Sequence, residues 1–360
     1  MTQRSVIFTE SSPNLGGQEL QLLQQMHALR DAGWQVHLVA KTSSRVGDLA
    51  QEQGLGFTAA PFRNALDFVT GSRLQSLLSK LKPAAVICHS NHDANITALT
   101  LKVLRNRARL IRMRTYLPKP GNPYAYNTLY HMAFTPSEYL RGEVLKNPAI
   151  RADKVAVMYP GIDFSKLDAP VEIPTALQQW LDAHPGPVIG HGSMLRGEKG
   201  QRTILAALPE VIKRHPTVRY VMGGEGYDKP ELEKMIADMG LGEHVYFTGL
   251  LNPISPLLRV STIAVMPSLF EPLGMFQIEA TAMGIPTIAS NTGGIPETIE
   301  HEVTGLLAAP DDVPAWTAAI LRMLDNPQQA QQWAQEGSRR LRQQFAIERN
   351  TQQLMDAILS

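Results

Sequence analysis

Cysteine is nearly absent: the 360 residues include one, Cys88. A single thiol closes no intrachain disulfide and builds no Cys-rich zinc module, and such usage fits a reducing cytoplasm. An excess of charge is missing too, with 34 Lys+Arg against 33 Asp+Glu and a formal net charge of +1. Coating nucleic acid irrespective of sequence needs many surplus cations, so that class is excluded while a local basic patch is not. Long apolar runs are also lacking. The stretch 5–9 is too short for a signal peptide and far below the roughly 18 apolar residues that span a bilayer. A soluble cytoplasmic protein is expected, with peripheral contact with the inner face of the membrane left open. What is present, 44% hydrophobic and 19% charged residues, is the composition of a globular chain and not of a disordered or collagenous one. At roughly 150 residues per domain the length implies about two domains.

Short β-branched runs alternate with amphipathic stretches almost from end to end, the pattern of parallel sheets covered by helices on both faces. Strands are expected at 6–8, 36–39, 85–88, 110–111 and 132–134, and again at 187–190, 218–222, 245–247, 263–266 and 286–289. A helix is expected over 17–32, with Leu22, Leu23, Met26 and Leu29 along one face, and another over 347–359, docked by Leu354, Met355 and Ile358. Between the two series, Tyr159-Pro160-Gly161-Ile162-Asp163 followed by Pro170, Pro174, Pro185 and Pro187 reads as an interdomain connector. The Gln-rich stretch 328–335 reads as a polar surface helix.

Three glycine clusters follow expected strands: Gly16-Gly17, Gly190-His191-Gly192 leading to Lys199-Gly200, and Gly223-Gly224-Glu225-Gly226. Glycine there lets backbone N–H groups approach a phosphate at the positive end of the next helix. Turn geometry alone also calls for glycine at such places. Two nucleotide fingerprints fail: the run from Gly224 lacks the third glycine of G-x-G-x-x-G, and 192–197 has the P-loop spacing but continues with Glu198 where the phosphate lysine belongs. Neither a dehydrogenase nor a P-loop NTPase is supported.

The sharpest feature is Pro267-Ser268-Leu269-Phe270-Glu271-Pro272-Leu273-Gly274-Met275-Phe276-Gln277-Ile278-Glu279-Ala280. It follows a strand and opens a helix, with Glu271 in the loop and Glu279 one to two turns into the helix. A carboxylate accepts hydrogen bonds from two vicinal hydroxyls, so this pair suits one sugar ring and one ribose, with backbone N–H groups between them for phosphate. An isolated Glu at such a place would read as a partner of the helix dipole; the whole string does not.

That string resembles the E-P-x-G-x-x-x-x-E signature of the retaining family-4 glycosyltransferases. Gly16-Gly17, Ser137-Glu138, Pro160-Gly161-Ile162-Asp163 and Gly293-Gly294-Ile295-Pro296-Glu297 match further segments of that family in the same order, over nearly the whole chain. The resemblance implies an α/β GT-B fold, two facing Rossmann-like doubly wound domains with a deep interdomain cleft. It places an acceptor-binding domain at 1–165, completed by a helix 346–360 that crosses back, and a nucleotide-sugar-binding domain at 166–345. It also implies transfer of a glycosyl group from a nucleotide sugar to a saccharide or lipid-linked acceptor, with retention at the anomeric carbon. Glu279 would then bind the ribose and Glu271 the donor-sugar hydroxyls. Gly16, Gly17, Gly224, Leu273 and Gly274 would line the donor. Lys199 would neutralise the leaving diphosphate, and His89 would approach the reacting centre. The family arginine five residues before the lysine is replaced by Met194, and Arg196 is the nearest substitute.

Such a reaction builds negative charge on the leaving phosphate, so fixed cations and N–H dipoles there should supply most of the catalysis. No metal and no cofactor beyond the donor is expected, because no Asp-x-Asp pair offers to hold Mg²⁺ between phosphates. No carboxylate nucleophile of the retaining-hydrolase kind can be assigned. The run 105–114 holds five arginines, whose forks bind phosphates and carboxylates. Arg112, Arg114 and the following Tyr116 are the candidates for an anionic acceptor; a solvated strand edge is the plainer reading. Lipopolysaccharide or surface-polysaccharide synthesis is the expected setting. The alternatives are another GT-B enzyme, an epimerase or phosphorylase, or a non-catalytic sugar-nucleotide-binding regulator.

Overall fold

The computed structural model describes residues 4–64, 67–116 and 121–360. The chain divides into two compact units, Met1–Asp163 with Phe345–Ser360, and Phe164–Gln344.

The first unit has seven strands, β1 (Ser5–Glu10), β2 (Gln35–Lys41), β3 (Gly56–Ala60), β4 (Ala85–Cys88), β5 (Arg109–Met113), β6 (Met132–Thr135) and β7 (Val155–Val157). They form one parallel sheet in the order β3-β2-β1-β4-β5-β6-β7. Its helices are α1 (Gly17–Asp31), α2 (Arg45–Glu52), α3 (Phe68–Leu81), α4 (Asn91–Val103) and α5 (Glu138–Leu145). All six residues of β1 are buried, as expected of a central strand covered on both faces. Val6 and Phe8 pack with Leu22, Met26 and Leu29 of α1, whereas Ile7 packs with Leu74 and Leu78 of α3 and Ala94 and Leu101 of α4.

The second unit opens with α6 (Phe164–Asp168) and α7 (Thr175–Ala183), so the proline-dense stretch is punctuated helix and not bare linker. Its six strands are β8 (Val188–Gly192), β9 (Arg219–Gly223), β10 (Val245–Gly249), β11 (Ile263–Met266), β12 (Thr287–Ser290) and β13 (Leu306–Ala308). The helices are α8 (Gln201–Arg214), α9 (Lys229–Asp238), α10 (Ser255–Val260), α11 (Phe276–Ala282), α12 (Val313–Asp325) and α13 (Pro327–Gln344). The sheet is parallel in the order β10-β9-β8-β11-β12-β13. Trp316 and Tyr220 are the largest fully buried side chains of its core.

The chain then returns to the first unit as α14 (Ile347–Leu359), which packs against α1. Leu354 and Ile358 are buried beside Leu22 and Met26, each burial contributing ~2 kcal/mol. Gln25 Nε2 donates to Asn350 Oδ1 at 3.0 Å, and Asn350 Nδ2 donates to the Tyr159 carbonyl at 2.6 Å. A Cβ on Gly161 would stand 2.6 Å from Ile347 Cδ1, which explains the glycine of the connector. Among the described residues no helix is long and apolar enough to cross a membrane.

Candidate active site

In an open parallel sheet, ligands bind outside the carboxyl ends of the strands where the strand order reverses. In the second unit this point lies between β8 and β11. Two glycines hold the loops there in register. Gly200, at φ +74°, would place a Cβ 1.9 Å from the Pro267 carbonyl oxygen, and Leu269 N donates to the Glu198 carbonyl at 2.8 Å. Gly293, at φ +56°, stands equally close to the Glu271 carbonyl oxygen, which accepts from Gly294 N at 3.1 Å. Only glycine tolerates both the left-handed backbone and the approach.

The loops thereby bring Lys199 to Glu271, whose Oε1 accepts from the Lys199 ammonium and from Ser268 Oγ at 3.3 Å. The two side chains are only 20% and 10% exposed. Oε2 of Glu271 has no partner among the described residues and remains open to a hydroxyl. Glu279 lies in the first turn of α11, short of the one to two turns expected. Its half-buried carboxyl has no hydrogen-bond partner among the described residues, and burial pushes it up to about 7. Between them Leu273 is buried and Gly274 sits at φ +84°. The loop is braced by Gln277 Nε2, which donates to the Leu273 carbonyl at 2.7 Å.

Arg196 lies in the same loop as Lys199, its guanidinium 6.0 Å from the Tyr227 ring centroid and its Nε buried without a partner among the described residues. Met194 is 44% exposed and brings no charge. Gly224 departs from its expected role. Its N–H donates to the Gly249 carbonyl at 2.8 Å, and a Cβ would stand 1.9 Å from the Ser193 carbonyl oxygen. The residue is glycine so that β9 can pass the β8 loop, and its donor is already occupied.

A buried relay missed in the sequence supports that loop. His191 Nδ1 is 2.7 Å from the Tyr220 hydroxyl, and its Nε2 is 2.9 Å from Ser193 Oγ. Burial, with Lys199 second, lowers the imidazole to about 3, so the ring is neutral. Among the described residues the Tyr220 hydroxyl has no acceptor but Nδ1, which puts the ring proton on Nε2, donating to Ser193. Gln201 Nε2 donates to the same Ser193 oxygen at 3.0 Å. With both lone pairs engaged, Ser193 has its own proton to offer, apart from a long 3.4 Å contact to the Met194 carbonyl.

In the first unit the order reverses between β1 and β4. Glu10 ends β1, buried, and accepts from Ser12 N at 2.8 Å, Gln18 Nε2 at 2.6 Å and Ser90 Oγ at 2.5 Å. His89 follows β4. Its Nδ1 is 3.2 Å from the Thr9 carbonyl, an acceptor, so the proton sits on Nδ1, and Nε2 has no hydrogen-bond partner among the described residues. Asp93 fixes this arrangement: Oδ2 accepts from His89 N at 3.0 Å and from Thr9 Oγ1 at 2.8 Å, while Oδ1 is buried without a partner among the described residues. Burial lowers the imidazole well below its ordinary range and, with Glu10 nearby, raises the Asp93 carboxyl. Glu10 did not stand out in the sequence, and Asp93 did so only as a near neighbour of His89 and His92 that could join them in a metal cluster, not as the acceptor that fixes the His89 backbone.

Gly16 also differs from expectation. Its N–H donates to Glu19 Oε2 at 2.8 Å, capping α1, so of the glycine pair it is Gly17 that opens the helix with its N–H free of an intrahelical acceptor. The arginine run is split by β5. Arg112 is 3% exposed and donates to the Cys88 carbonyl at 3.2 Å and Asn91 Oδ1 at 3.1 Å, which makes it a brace and not an open anion ligand. Arg114 donates to the same Asn91 oxygen at 2.9 Å, and its buried Nε has no partner among the described residues. Tyr116 is 67% exposed, and 117–120 lie outside the described residues. Arg105, Arg107 and Arg109 lie at or before the opposite, amino end of β5. No group of three His, Cys, Asp or Glu side chains among the described residues is placed to hold a metal ion.

The family model "Glycosyltransferase Family 4" matches residues 15–166, and "Glycosyl transferases group 1" matches 186–326. The chain belongs to glycosyltransferase family 4. This family-4 chain is 28% identical over 202 residues to α-D-kanosaminyltransferase of Streptomyces kanamyceticus, covering 55% of this chain and 52% of that protein. It is 35% identical over 153 residues to glycogen synthase of Mycobacterium tuberculosis, covering 42% and 37%. The matched region thus spans about half or less of these curated relatives. Among solved structures, the Anabaena protein HepE in complex with UDP superposes with a TM-score of 0.86 at 19% identity, over 98% of this chain and 99% of that one. Sucrose-phosphate synthase from Thermosynechococcus elongatus gives 0.76 at 19%, over 98% of each. The fold of the family-4 chain is GT-B, built of two parallel-sheet Rossmann-like units.

Proposed function

We propose that this protein is a retaining, metal-independent glycosyltransferase acting in the cytoplasm. It takes a nucleotide-sugar donor and a saccharide or lipid-linked acceptor of lipopolysaccharide or surface-polysaccharide assembly. The observation that carries the reading is the β8–β11 switch point of the second unit. There Lys199 and Arg196, Ser193 with a proton to give, the open Oε2 of Glu271 and the unpartnered Glu279 carboxyl are supplied by adjoining loops. Cations and donors suit a diphosphate, and the two carboxyl groups suit hydroxyls of a sugar and a ribose. As the anomeric carbon–oxygen bond breaks, charge on the leaving diphosphate is met by Lys199 and Arg196 in a site that needs little reorganisation. The leaving phosphate takes the acceptor hydroxyl proton on the face where the new glycosidic bond forms, giving a nucleoside diphosphate and a retained product. The first unit is read as the acceptor-binding one, with His89 held neutral and its Nε2 unpartnered among the described residues.

The ligands of relatives support a nucleotide-sugar donor. HepE structures hold UDP and UDP-glucose, starch synthase IV from Arabidopsis thaliana holds ADP, and a Mycolicibacterium smegmatis relative is a GDP-mannose-dependent mannosyltransferase. Thermal shifts with UDP, GDP and ADP select the base, because a ligand at 100 times its Kd adds about 2.7 kcal/mol. The decisive assay is nucleoside diphosphate release with and without acceptor. Release should depend on acceptor and vanish in Glu271→Ala with the fold retained; full activity in that variant removes the site assignment.

A further inference from the structure

A groove of about 580 Å³ lies in the first unit around the amino end of β5, away from the carboxyl strand ends where His89 stands. Its lining carries the cations Lys102, Arg105, Arg107, Arg109 and Lys154 and the imidazole of His131, and no carboxylate lines it. None of those lysines and arginines is ion-paired with an acid among the described residues. Their contacts are to neutral groups: Arg109 donates to the Ile358 carbonyl at 2.8 Å, Lys154 to the His131 carbonyl at 3.3 Å and Lys102 to the Tyr124 hydroxyl at 3.3 Å. In a chain of net charge +1, five unbalanced cations around one concavity form a local field that attracts an anion. Arg105 is held at φ +49°, a left-handed position that favours glycine. The cation is kept there although the backbone disfavours it.

Three features narrow the chemistry of the occupant. Leu101, Leu110 and Leu129 form an apolar floor, and Tyr124 and Tyr130 add ring faces, so rings with anionic substituents fit better than a bare ion. Arg109, His131 and Lys154 are only partly exposed within the concavity, where a flat bilayer surface does not reach and a narrow chain does. Tyr130 connects the groove to the other arginines, being close enough to Arg112 and Arg114 to feel their charge. We propose that this groove binds an anionic saccharide, a glycan carrying phosphate, sulfate or carboxylate groups, and so holds a distal part of an acceptor chain. The word acceptor rests on the proposed function; binding itself does not.

The test uses the full chain and the double variant Arg105→Glu/Arg107→Glu, both positions being exposed. Titration calorimetry is run with a sulfated heparin pentasaccharide, neutral maltopentaose and inorganic phosphate, alongside sedimentation with phosphatidylglycerol vesicles. The pentasaccharide should bind, maltopentaose should not, and the variant should bind at least roughly tenfold more weakly, as expected for the loss of charged contacts. Affinity should fall with added salt. Equal binding by the variant overturns the proposal, as does phosphate binding as tightly as the pentasaccharide. Vesicle binding that depends on Arg105 and Arg107, without saccharide binding, overturns it in favour of a lipid surface. Nucleotide affinity should match in the two proteins; its absence from both counts against the proposed function and leaves the groove result standing.

Discussion

Protonation of Glu279 should set the pH dependence of nucleotide binding. Burial holds this carboxyl at about 7 in the free protein, with no partner to stabilise its charge. Ribose hydroxyls that donate to it favour the ionised form, so binding lowers its pKa and releases a proton. With a pKa of about 7, roughly one molecule in eleven is ionised at pH 6 and ten in eleven at pH 8, so affinity should rise about tenfold across that range, ~1.4 kcal/mol. Calorimetry in buffers of different ionisation enthalpy should find about half a proton released near pH 7. The terminal phosphate of a nucleoside diphosphate titrates near pH 6 and adds its own slope, so the diagnostic quantity is the difference between wild type and Glu279→Gln. The free protein supplies a check of opposite sign. Between pH 4.5 and 7 the folded state keeps a proton that the unfolded chain has lost, so stability should fall with rising pH, by up to ~3 kcal/mol. Glu279→Gln should remove that fall. An identical pH slope for nucleotide binding in wild type and variant would refute the reasoning.

Gly200→Ala should lower stability by ~2–5 kcal/mol, from the left-handed backbone and a Cβ 1.9 Å from the Pro267 carbonyl oxygen; an unchanged melting temperature contradicts that. Ser193→Ala should weaken nucleoside diphosphate binding about tenfold, and Tyr220→Phe should do so in part by freeing the His191 tautomer. Equal Kd in all three proteins removes the relay from function. Asp93→Ala leaves the buried His89 N–H and Thr9 hydroxyl without their acceptor, a loss of ~2–4 kcal/mol readable by urea denaturation; a change under 1 kcal/mol would show that the pair finds other partners. Adding EDTA should leave turnover unchanged, and a collapse of the rate would demand a metal.

The central strands were legible because they are buried on both faces and read as β-branched runs, as in Val6-Ile7-Phe8 and Ile263-Ala264-Val265. The strands absent from the sequence reading are β3, β7 and β13, and all three lie at sheet edges. Gly56–Ala60 is partly exposed and has one β-branched residue, and Leu306–Ala308, although apolar, is only three residues long, so neither makes a run that stands out. The loop string around Glu271 and Glu279 was legible since its residues are adjacent in sequence. The supports were not: His191, Ser193, Tyr220 and Gln201, or the Thr9, Glu10 and Asp93 that surround the expected His89, meet only after parallel strands bring distant segments side by side. Gly16 and Gly224 show the converse error, since a glycine kept for capping or close approach looks the same in sequence as one kept for a phosphate.

The return of the chain to the first unit has a consequence during synthesis. All of Phe164–Gln344 is made between β7 and α14, on the order of 10–40 s at ribosomal rates. Throughout that interval the α1 face carrying Leu22 and Met26 lacks its cover, and Gln25 lacks Asn350. The unit begun first is thus completed last. A nascent chain halted before Ile347 should present a sticky apolar stripe and attract chaperones, whereas the second unit, contiguous in sequence, can close beforehand.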